Sequence, residues 1–349
     1  AAAWTKSQSP AGGTVQYKDL YATGNLSWEL DIWGKLRRAK ESAMADLLAQ
    51  EAYKKSVYIM VIANIASGYF NLIEYQDQLQ IAKFNVNIRQ EALSLVKLKL
   101  VAGTVSGLVV AQAEAELASL KTQIPLFEKA IGVQENALKL LLGKLPGEVR
   151  TNDTIISQIN PYLIPEAGIP SQLITRRPDI IQAEQSLISA NAQIGVARAY
   201  MLPTLSINAN LGYSTLGAGM IGSAVGNLVA PIFSFGKLRS NLRKAQSYKE
   251  EMLLNYQKTI YTAIGEVSNS ILDVEKQQTV VAENKNLVAA AQTAFDLSNQ
   301  LFNAGYASYL DVINAQRSLY EAQIQLSLAQ HDNLLALVNL YLALGGGWK

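Results

Sequence analysis

The sequence predicts a mixed α+β membrane protein built from two internal repeats, in which strands meet the bilayer and long helices do not. Three observations carry this reading. The run from Gly34 to Ala102 is roughly seventy residues without a proline; the chain copies itself at one constant offset; and segments of strict polar/apolar alternation precede the long run in each half.

At ~1.5 Å per residue, a continuous helix over Gly34 to Ala102 spans on the order of 100 Å, several times an ordinary domain diameter. Such a helix is a spacer or a tube wall. The run occurs twice. Gly34-Lys35-Leu36-Arg37 returns as Gly236-Lys237-Leu238-Arg239, Ala102-Gly103 as Ala304-Gly305, Ser106 as Ser308, and Leu142-Gly143 as Leu344-Gly345. Gly24-Asn25-Leu26 returns as Gly226-Asn227-Leu228, and every pair lies 202 positions apart with no gap. One register held this long implies a duplicated unit of strand, very long helix, tight turn and returning helix.

The 349 residues could hold two ordinary domains, but the repeat argues for one elongated body made of related halves. A formal charge of +2 with no long basic run excludes nucleic-acid binding as a function class. Cysteine is absent and His331 is the one histidine, which removes thiol catalysis and cysteine metal sites and fits an exported protein without disulfides. Ala1-Ala2-Ala3-Trp4 lacks the basic start and apolar core of a signal peptide, so the numbering is expected to begin within a mature or trimmed protein. The most apolar helical segment, Val57 to Ile73, is interrupted by Asn64, Ser67, Gly68 and Asn71 and falls short of ~20 consecutive apolar residues. Any membrane crossing is therefore expected to use strands.

Residues Ala1 to Thr23, with the turn signal Ser9-Pro10-Ala11-Gly12-Gly13, read as the end of a strand plus a surface loop. From Asn25 to Trp33, Leu26, Trp28, Leu30 and Ile32 point one way and Asn25, Ser27, Glu29 and Asp31 the other, as in a strand with one apolar face. In the second half Thr204 to Tyr213 repeats the pattern with Leu205, Ile207, Ala209, Leu211 and Tyr213. A Gly- and Ser-rich link, Ser214 to Ser223, leads to a partner strand Asn227 to Phe235, made irregular by Pro231. A soluble sandwich edge has the same alternation. A membrane barrel is favoured by whole charges on the polar face, by Trp28, Trp33, Tyr213, Phe233 and Phe235 near strand ends, and by strand lengths of ~10 residues.

In the second long helix Leu287, Ala290, Ala291, Ala294, Leu297 and Leu301 recur at spacings of three and four, predicting one buried stripe. Its small residues suit helices packed side by side, although an isolated antiparallel coiled coil has the same periodicity. Both long helices end at a glycine suited to positive φ, Gly103 or Gly305, and Ser106 or Ser308 can then cap a returning helix over Ser106 to Leu142 or Ser308 to Leu344. Lys144 to Ser171, with four prolines, reads as a linker. Thr175-Arg176-Arg177-Pro178-Asp179-Ile180 opens a helix to about Met201, with Pro178 and Asp179 suited to its first turn. The division expected is a first repeat over 1–145, a linker or equatorial segment over 146–175, and a second repeat over 176–349. Subtracting the offset places the copy of helix Pro178 to Met201 before residue 1, so the first repeat is expected to be incomplete.

These residues resemble the outer-membrane efflux protein family, the TolC-type exit ducts, and within it the lipoprotein branch serving drug and cation pumps of Gram-negative bacteria. The most specific pieces are Leu173-Ile174-Thr175-Arg176-Arg177-Pro178-Asp179-Ile180, Ala197-Arg198-Ala199 running into Pro203, Leu30-Asp31-Ile32-Trp33-Gly34-Lys35-Leu36-Arg37, Asn314-Ala315-Gln316-Arg317, and Ala343-Leu344-Gly345-Gly346-Gly347-Trp348. The resemblance implies a homotrimer in the outer membrane whose protomers jointly close one β-barrel, continued by a long α-helical barrel through the periplasm. It also implies a multidrug-type tripartite pump, with a periplasmic adaptor (membrane fusion protein) and an inner-membrane transporter of the RND type. The adaptor would meet Ala102, Gly103, Thr104, Val105 and Ser106, and Ala304, Gly305, Tyr306, Ala307 and Ser308. Leu310 matches the family's apolar constriction residue, while Asn314 stands where relatives often carry aspartate. Asp311, three residues earlier on nearly the same face, could form a cation-attracting ring in its place. The family's lipidated N-terminal cysteine has no counterpart in this sequence.

No nucleophile and base pair, phosphate-binding glycine loop or metal cluster stands out, so no enzymatic activity and no cofactor are expected. The rival reading is a periplasmic coiled-coil adaptor or scaffold whose Leu26, Trp28, Leu30 and Ile32 pack on a soluble core. Within the duct reading, cargo stays open among small toxic compounds, metal ions and polypeptides; the lack of a Met- or His-rich track disfavours copper and silver.

Overall fold

The computed structural model describes residues 2–8, 14–149, 175–214 and 219–346. The elements in chain order are β1 (Ala2–Gln8), β2 (Thr14–Leu30), α1 (Lys35–Val101), α2 (Gly107–Lys121), α3 (Gln123–Leu141), α4 (Pro178–Ala199), β3 (Thr204–Ser214), β4 (Gly219–Val229), α5 (Lys237–Asn303) and α6 (Tyr309–Ala343). The duplication is visible in the backbone. Helices α1 and α5 are 67 residues each, and the glycines that bound them take positive φ in pairs: Gly34 at 77° with Gly236 at 82°, Gly103 at 72° with Gly305 at 81°, Gly143 at 65° with Gly345 at 87°. Two compact units, each drawing on both repeats, comprise 1–52 with 179–259, and 53–178 with 260–349. The expected linker falls largely outside the described residues.

The first unit holds a four-stranded antiparallel sheet in the order β1-β2-β3-β4. Its register places Leu26, Trp28 and Leu30 opposite Ala209, Ile207 and Leu205, which in turn face Ala224, Gly226 and Leu228. Asn25, Ser27 and Glu29 lie on the other face opposite Asn210, Asn208 and Ser206, and the Ser27 hydroxyl donates to Asn208 Oδ1 at 2.6 Å. Leu26, Trp28 and Leu211 remain 62–69% exposed, so no described part of the chain covers the apolar face. Burying each such side chain is worth ~1.5–3 kcal/mol, a contribution that the described residues do not supply.

Three strand expectations are corrected. Thr14 to Thr23 is strand, not surface loop, because it pairs along β1 and β3. Strand β2 stops at Leu30, so Ile32 lies in the turn beyond it. Asp31 does not continue the polar face: its carboxylate accepts from the backbone N–H of Leu36 and Arg37, both at 2.9 Å, and starts α1. Burial opposes its ionisation, but those N–H groups and the Arg37 guanidinium outweigh burial and hold the carboxyl below its usual range. The partner strand is Gly219–Val229, not Asn227 to Phe235; pairing with β3 recruits the Gly-rich stretch, and Pro231, which cannot donate to a ladder, lies beyond its end.

In the same unit α4 lies against α1 through Ser42 Oγ and Ser189 Oγ, 2.9 Å apart. At Gly195 an added Cβ would sit 2.8 Å from Arg38 Cγ, so only glycine permits this approach. Buried Ala45, Ala49, Ala183 and Ala190 serve the same close packing. Trp33 is fixed by its indole N–H donating to the Pro203 carbonyl at 2.8 Å.

In the second unit Leu93 and Val96 of α1, Ala113 and Leu117 of α2, and Tyr309, Val312 and Ile313 of α6 form one buried cluster, joined by Phe295 and Phe302 of α5. Val274 of α5 packs with Ala336 and Leu340 of α6. The first returning helix is not continuous: it breaks at Thr122 into α2 and α3. Pro125 explains the break, since it lacks the N–H that would bond the Lys121 carbonyl and its ring crowds that carbonyl. The stripe expected to be buried on α5 is also corrected. Leu287, Leu297 and Leu301 are 46–53% exposed, and the adjacent line through Phe295 and Phe302 packs instead. One 18-residue window of α1 has the length and mean composition of a membrane-crossing segment, although Asn64, Ser67, Gly68 and Asn71 still interrupt Val57 to Ile73. Gly68 has a packing role: Gln134 of α3 donates to its carbonyl at 2.8 Å, and an added Cβ would lie 2.9 Å from Leu138.

Candidate gate and docking turns

The two turns after the long helices share one chain geometry. Gly103 N–H donates to Leu100 O at 2.9 Å and Thr104 N–H to Lys99 O at 3.0 Å; Gly305 N–H donates to Phe302 O at 3.1 Å and Tyr306 N–H to Leu301 O at 2.8 Å. These paired bonds close a helix only when the glycine is left-handed. Nothing lies within 4 Å of a Cβ added at Gly103 or Gly305, so backbone conformation alone demands glycine there. The turns are neighbours: Lys99 Nζ donates to Asn303 Oδ1 at 3.0 Å and sits 4.2 Å from the Phe302 ring centre. Val101 and Tyr306 are 85–88% exposed, giving this end of the unit two apolar side chains with no cover among the described residues.

The capping serines differ. Ser308 and Asp311 form a reciprocal capping box, with Ser308 N–H donating to Asp311 Oδ2 at 2.9 Å and Asp311 N–H to Ser308 Oγ at 3.3 Å. Ser106 stands at the start of α2 but its side chain makes no capping bond; three residues on is Val109, which cannot reciprocate. Of the expected gate residues, Leu310, Asp311 and Asn314 are all exposed, while Val312 and Ile313 are buried. Leu310 and Asn314, four apart, share one face. Asp311 is exposed yet tied down as the helix cap, so its carboxylate has a structural role that the sequence reading did not assign.

Behind that face is a cluster that spacing in the sequence did not reveal. Glu116 of α2 receives Arg317 Nη2 of α6 on one oxygen and Arg89 Nη1 of α1 on the other at 3.2 Å, while Arg89 also donates to the Glu116 main-chain carbonyl at 2.8 Å. Arg89 is 6% exposed, and among the described residues its Nε has no partner. Burial pulls its pKa down, against the pull of Glu116. The three groups line a groove of about 440 Å³ with Phe127 and Tyr320. Residues 89, 116 and 317 share no periodicity, so only the packing of three helices brings them together. A second knot involves the Thr175 to Ile180 segment: buried Arg177 donates to Ala343 O at the end of α6 at 2.8 Å and to Glu266 of α5 at 2.7 Å.

A sheet whose apolar face no described residue covers, in a chain whose helices carry exposed apolar stripes, is the pattern of a membrane channel protein. Residues 2–144 and 169–346 match the family model described as outer membrane efflux protein. The chain is 34% identical over 351 residues to the pyoverdine export outer membrane protein OpmQ of Pseudomonas aeruginosa, covering 95% of this chain and 71% of that protein. It is 30% identical over 340 residues to the cation efflux system protein CusC of Escherichia coli, covering 94% and 73%. It is also similar to solved structures of CusC (TM-score 0.89, 28% identity, 99% of this chain and 82% of that one) and of the outer-membrane channel OprN (TM-score 0.88, 27% identity, 100% and 80%). The chain belongs to the outer membrane efflux protein family. It is an outer-membrane channel of an efflux system, reaching into the periplasm.

Proposed function

We propose that three copies of this chain close a single barrel, each giving strands β1 to β4, and that the helices continue it as a periplasmic tube through which cargo leaves passively. The observation that carries this reading is the register of the sheet. It aligns Leu26, Trp28, Leu30, Leu205, Ile207 and Leu228 on one uncovered face, and a barrel would present that face to lipid while Asn25, Ser27, Glu29, Asn208 and Asn210 face water. Tyr213 and Leu211 continue the lipid face, and Ile32 with Trp33 belongs to the interfacial girdle just beyond the strand. Pairing β4 of one copy with β1 of the next removes the open edges. The exposed stripe Leu287, Ala290, Ala294, Leu297 and Leu301 and the exposed apolar residues of α1 then pack against neighbouring copies. The repeats 1–145 and 176–349, joined by 146–175, supply equivalent pieces of the wall.

In this assembly Leu310, Asp311 and Asn314 narrow the entrance, three copies of Asp311 favouring cations. The turns Ala102 to Ser106 and Ala304 to Ser308 receive the hairpins of a periplasmic adaptor, their glycines allowing backbone approach. An inner-membrane transporter of the RND type supplies the energy. Averaged electron images of the detergent-extracted protein test the assembly. A threefold tube on the order of 100 Å or longer, with a detergent belt at one end, supports it; a beltless soluble rod returns the adaptor or scaffold reading.

A further inference from the structure

Between the middle of α1 and the second half of α6 lies a polar cluster that conduction does not explain. Glu74 is 3% exposed, and the one hydrogen bond it receives on its own helix comes from the neutral amide of Gln78. No cation among the described residues pairs with it. The charges facing it have its own sign, Asp77 on α1 and Asp332 on α6. An ionised carboxylate buried without a counter-charge is strongly disfavoured.

The same seam holds His331, whose two ring nitrogens both face acceptors: Nε2 is 2.6 Å from Asn71 Oδ1 and Nδ1 is 3.0 Å from Asp332 Oδ1. The ring therefore ties α6 to α1 through Asn71. Asp77 is bound across the seam by the Ser327 hydroxyl at 2.5 Å. Among the described residues no ion pair brings a balancing charge to Glu74 from another helix. On the neighbouring stretch of α1, α3 contributes Gln134 and Leu138 at Gly68; α5 contributes Val274 to the adjacent core, and its Glu275 and Lys276 pair with each other in solvent.

We infer that Glu74, Asp77, His331 and Asp332 form a proton-operated latch between α1 and α6: uptake of a proton by Glu74 tightens the seam, and its release loosens it. Neutral Glu74 no longer repels Asp77 and Asp332, so both can keep their bonds to Ser327 and His331. Burial first, then the charges of Asp77 and Asp332, push the Glu74 carboxyl up to about 7 from 4.5. For a group raised in this way, the stabilising contribution is fully present below about 4.5 and is lost as pH rises through about 7. The seam therefore responds in the neutral range. Because the gate face is on the same helix, the latch would bias how freely α6 moves during opening, a consequence that rests on the duct reading.

Amide hydrogen exchange of the full channel in detergent tests the latch, with rates corrected for intrinsic pH dependence and read in peptides spanning 68–80 and 325–336. Wild-type protection should fall roughly tenfold or more as pH is raised through about 7, the change one group shifted by more than a unit can supply. Glu74→Gln should stay protected on both sides, and Asp332→Asn should move the midpoint to lower pH by removing a repulsive charge. A pH-flat wild type, or a wild-type response in Glu74→Gln, overturns the latch. If Glu74→Gln does not fold, the Asp332→Asn midpoint decides: a downward shift supports the latch and an unmoved one overturns it. Planar-bilayer recording of the same preparation separates the two readings, since a pH-dependent seam in a protein without conductance retires the duct and keeps the latch.

Discussion

Replacing Glu116 with glutamine should weaken the packing of α1 on α2 more than removing Arg317, which ties α6 to the same carboxylate, weakens the packing of α6, and the structure gives the ratio. The Arg89 side chain is 6% exposed and that of Glu116 20%, so this arm is a buried pair. Truncating one partner of a buried pair costs ~3–5 kcal/mol; the retained bond from Arg89 to the main-chain carbonyl of residue 116 reduces that to ~2–3 kcal/mol. The second arm is different. Arg317 is 52% exposed, and pairs so wet contribute ~0–1 kcal/mol. Glu116→Gln should therefore lower the stability of the packed helices by ~2–3 kcal/mol and Arg317→Gln by ~1 kcal/mol or less. Denaturant unfolding followed by circular dichroism reads both. An Arg317→Gln effect equal to or larger than that of Glu116→Gln would refute the assignment of the holding energy to the buried arm.

Three further substitutions probe other parts of the chain. Gly305→Val should impair efflux while leaving barrel and oligomer intact: φ is 81° and nothing stands near the new side chain, so the cost is ~1–2 kcal/mol of backbone strain confined to the turn. Unchanged drug resistance in cells would remove that turn from docking. Asp311→Asn should keep the helix start, since an amide oxygen can still accept from Ser308, with a loss below about 1 kcal/mol; its cation preference in bilayers should nevertheless fall, and unaltered selectivity would leave Asp311 as a cap alone. Arg177→Leu should lose its charge-assisted bond to Ala343 and its pair with Glu266, roughly 2–3 kcal/mol, seen as faster thermal inactivation; a rate equal to wild type would show that this knot holds nothing.

The duplication was readable because backbone geometry selects residue type. Gly34, Gly103 and Gly143 recur 202 positions later, each pair at the left-handed φ that glycine adopts most cheaply. The strand limits were harder. Gly219 to Asn227, with its glycines, is a poor strand former locally and becomes a strand because its partner fixes it across the sheet, whereas Thr14 to Thr23 carries Val15, Tyr17 and Tyr21 and was hidden only by the turn signal before it. The break at Thr122 is announced by Pro125 alone, while helical periodicity on both sides conceals it. Of the candidate site, the turns were legible through glycine and serine, but Arg89, Glu116 and Arg317, like Glu74 and His331, come from positions up to 257 apart and meet only through packing.

The most informative disagreement concerns α5. Leu287, Ala290, Ala294, Leu297 and Leu301 have the spacing of a buried stripe, yet within one chain the adjacent line of Phe295 and Phe302 is the one that packs. An apolar stripe on a soluble surface helix carries a penalty of order 1 kcal/mol or more for each large side chain left in water, and α5 carries three exposed leucines on that line. The same holds for Leu26, Trp28 and Leu211 on the sheet. Periodicity in a sequence records the environment of the working state, whereas burial within a single chain records only the part of that environment the chain makes for itself. In the proposed assembly, where the two differ, the missing contact belongs to a neighbour: lipid for the sheet face, which lies on strands, and another copy for the helix stripe, whose alanines leave room for a second backbone. A cysteine at Ala290 or Ala294, both exposed within one chain, should therefore resist a thiol-reactive label in the assembled protein and react in dissociated copies. Labelling unchanged by dissociation would mean that no second copy covers the stripe.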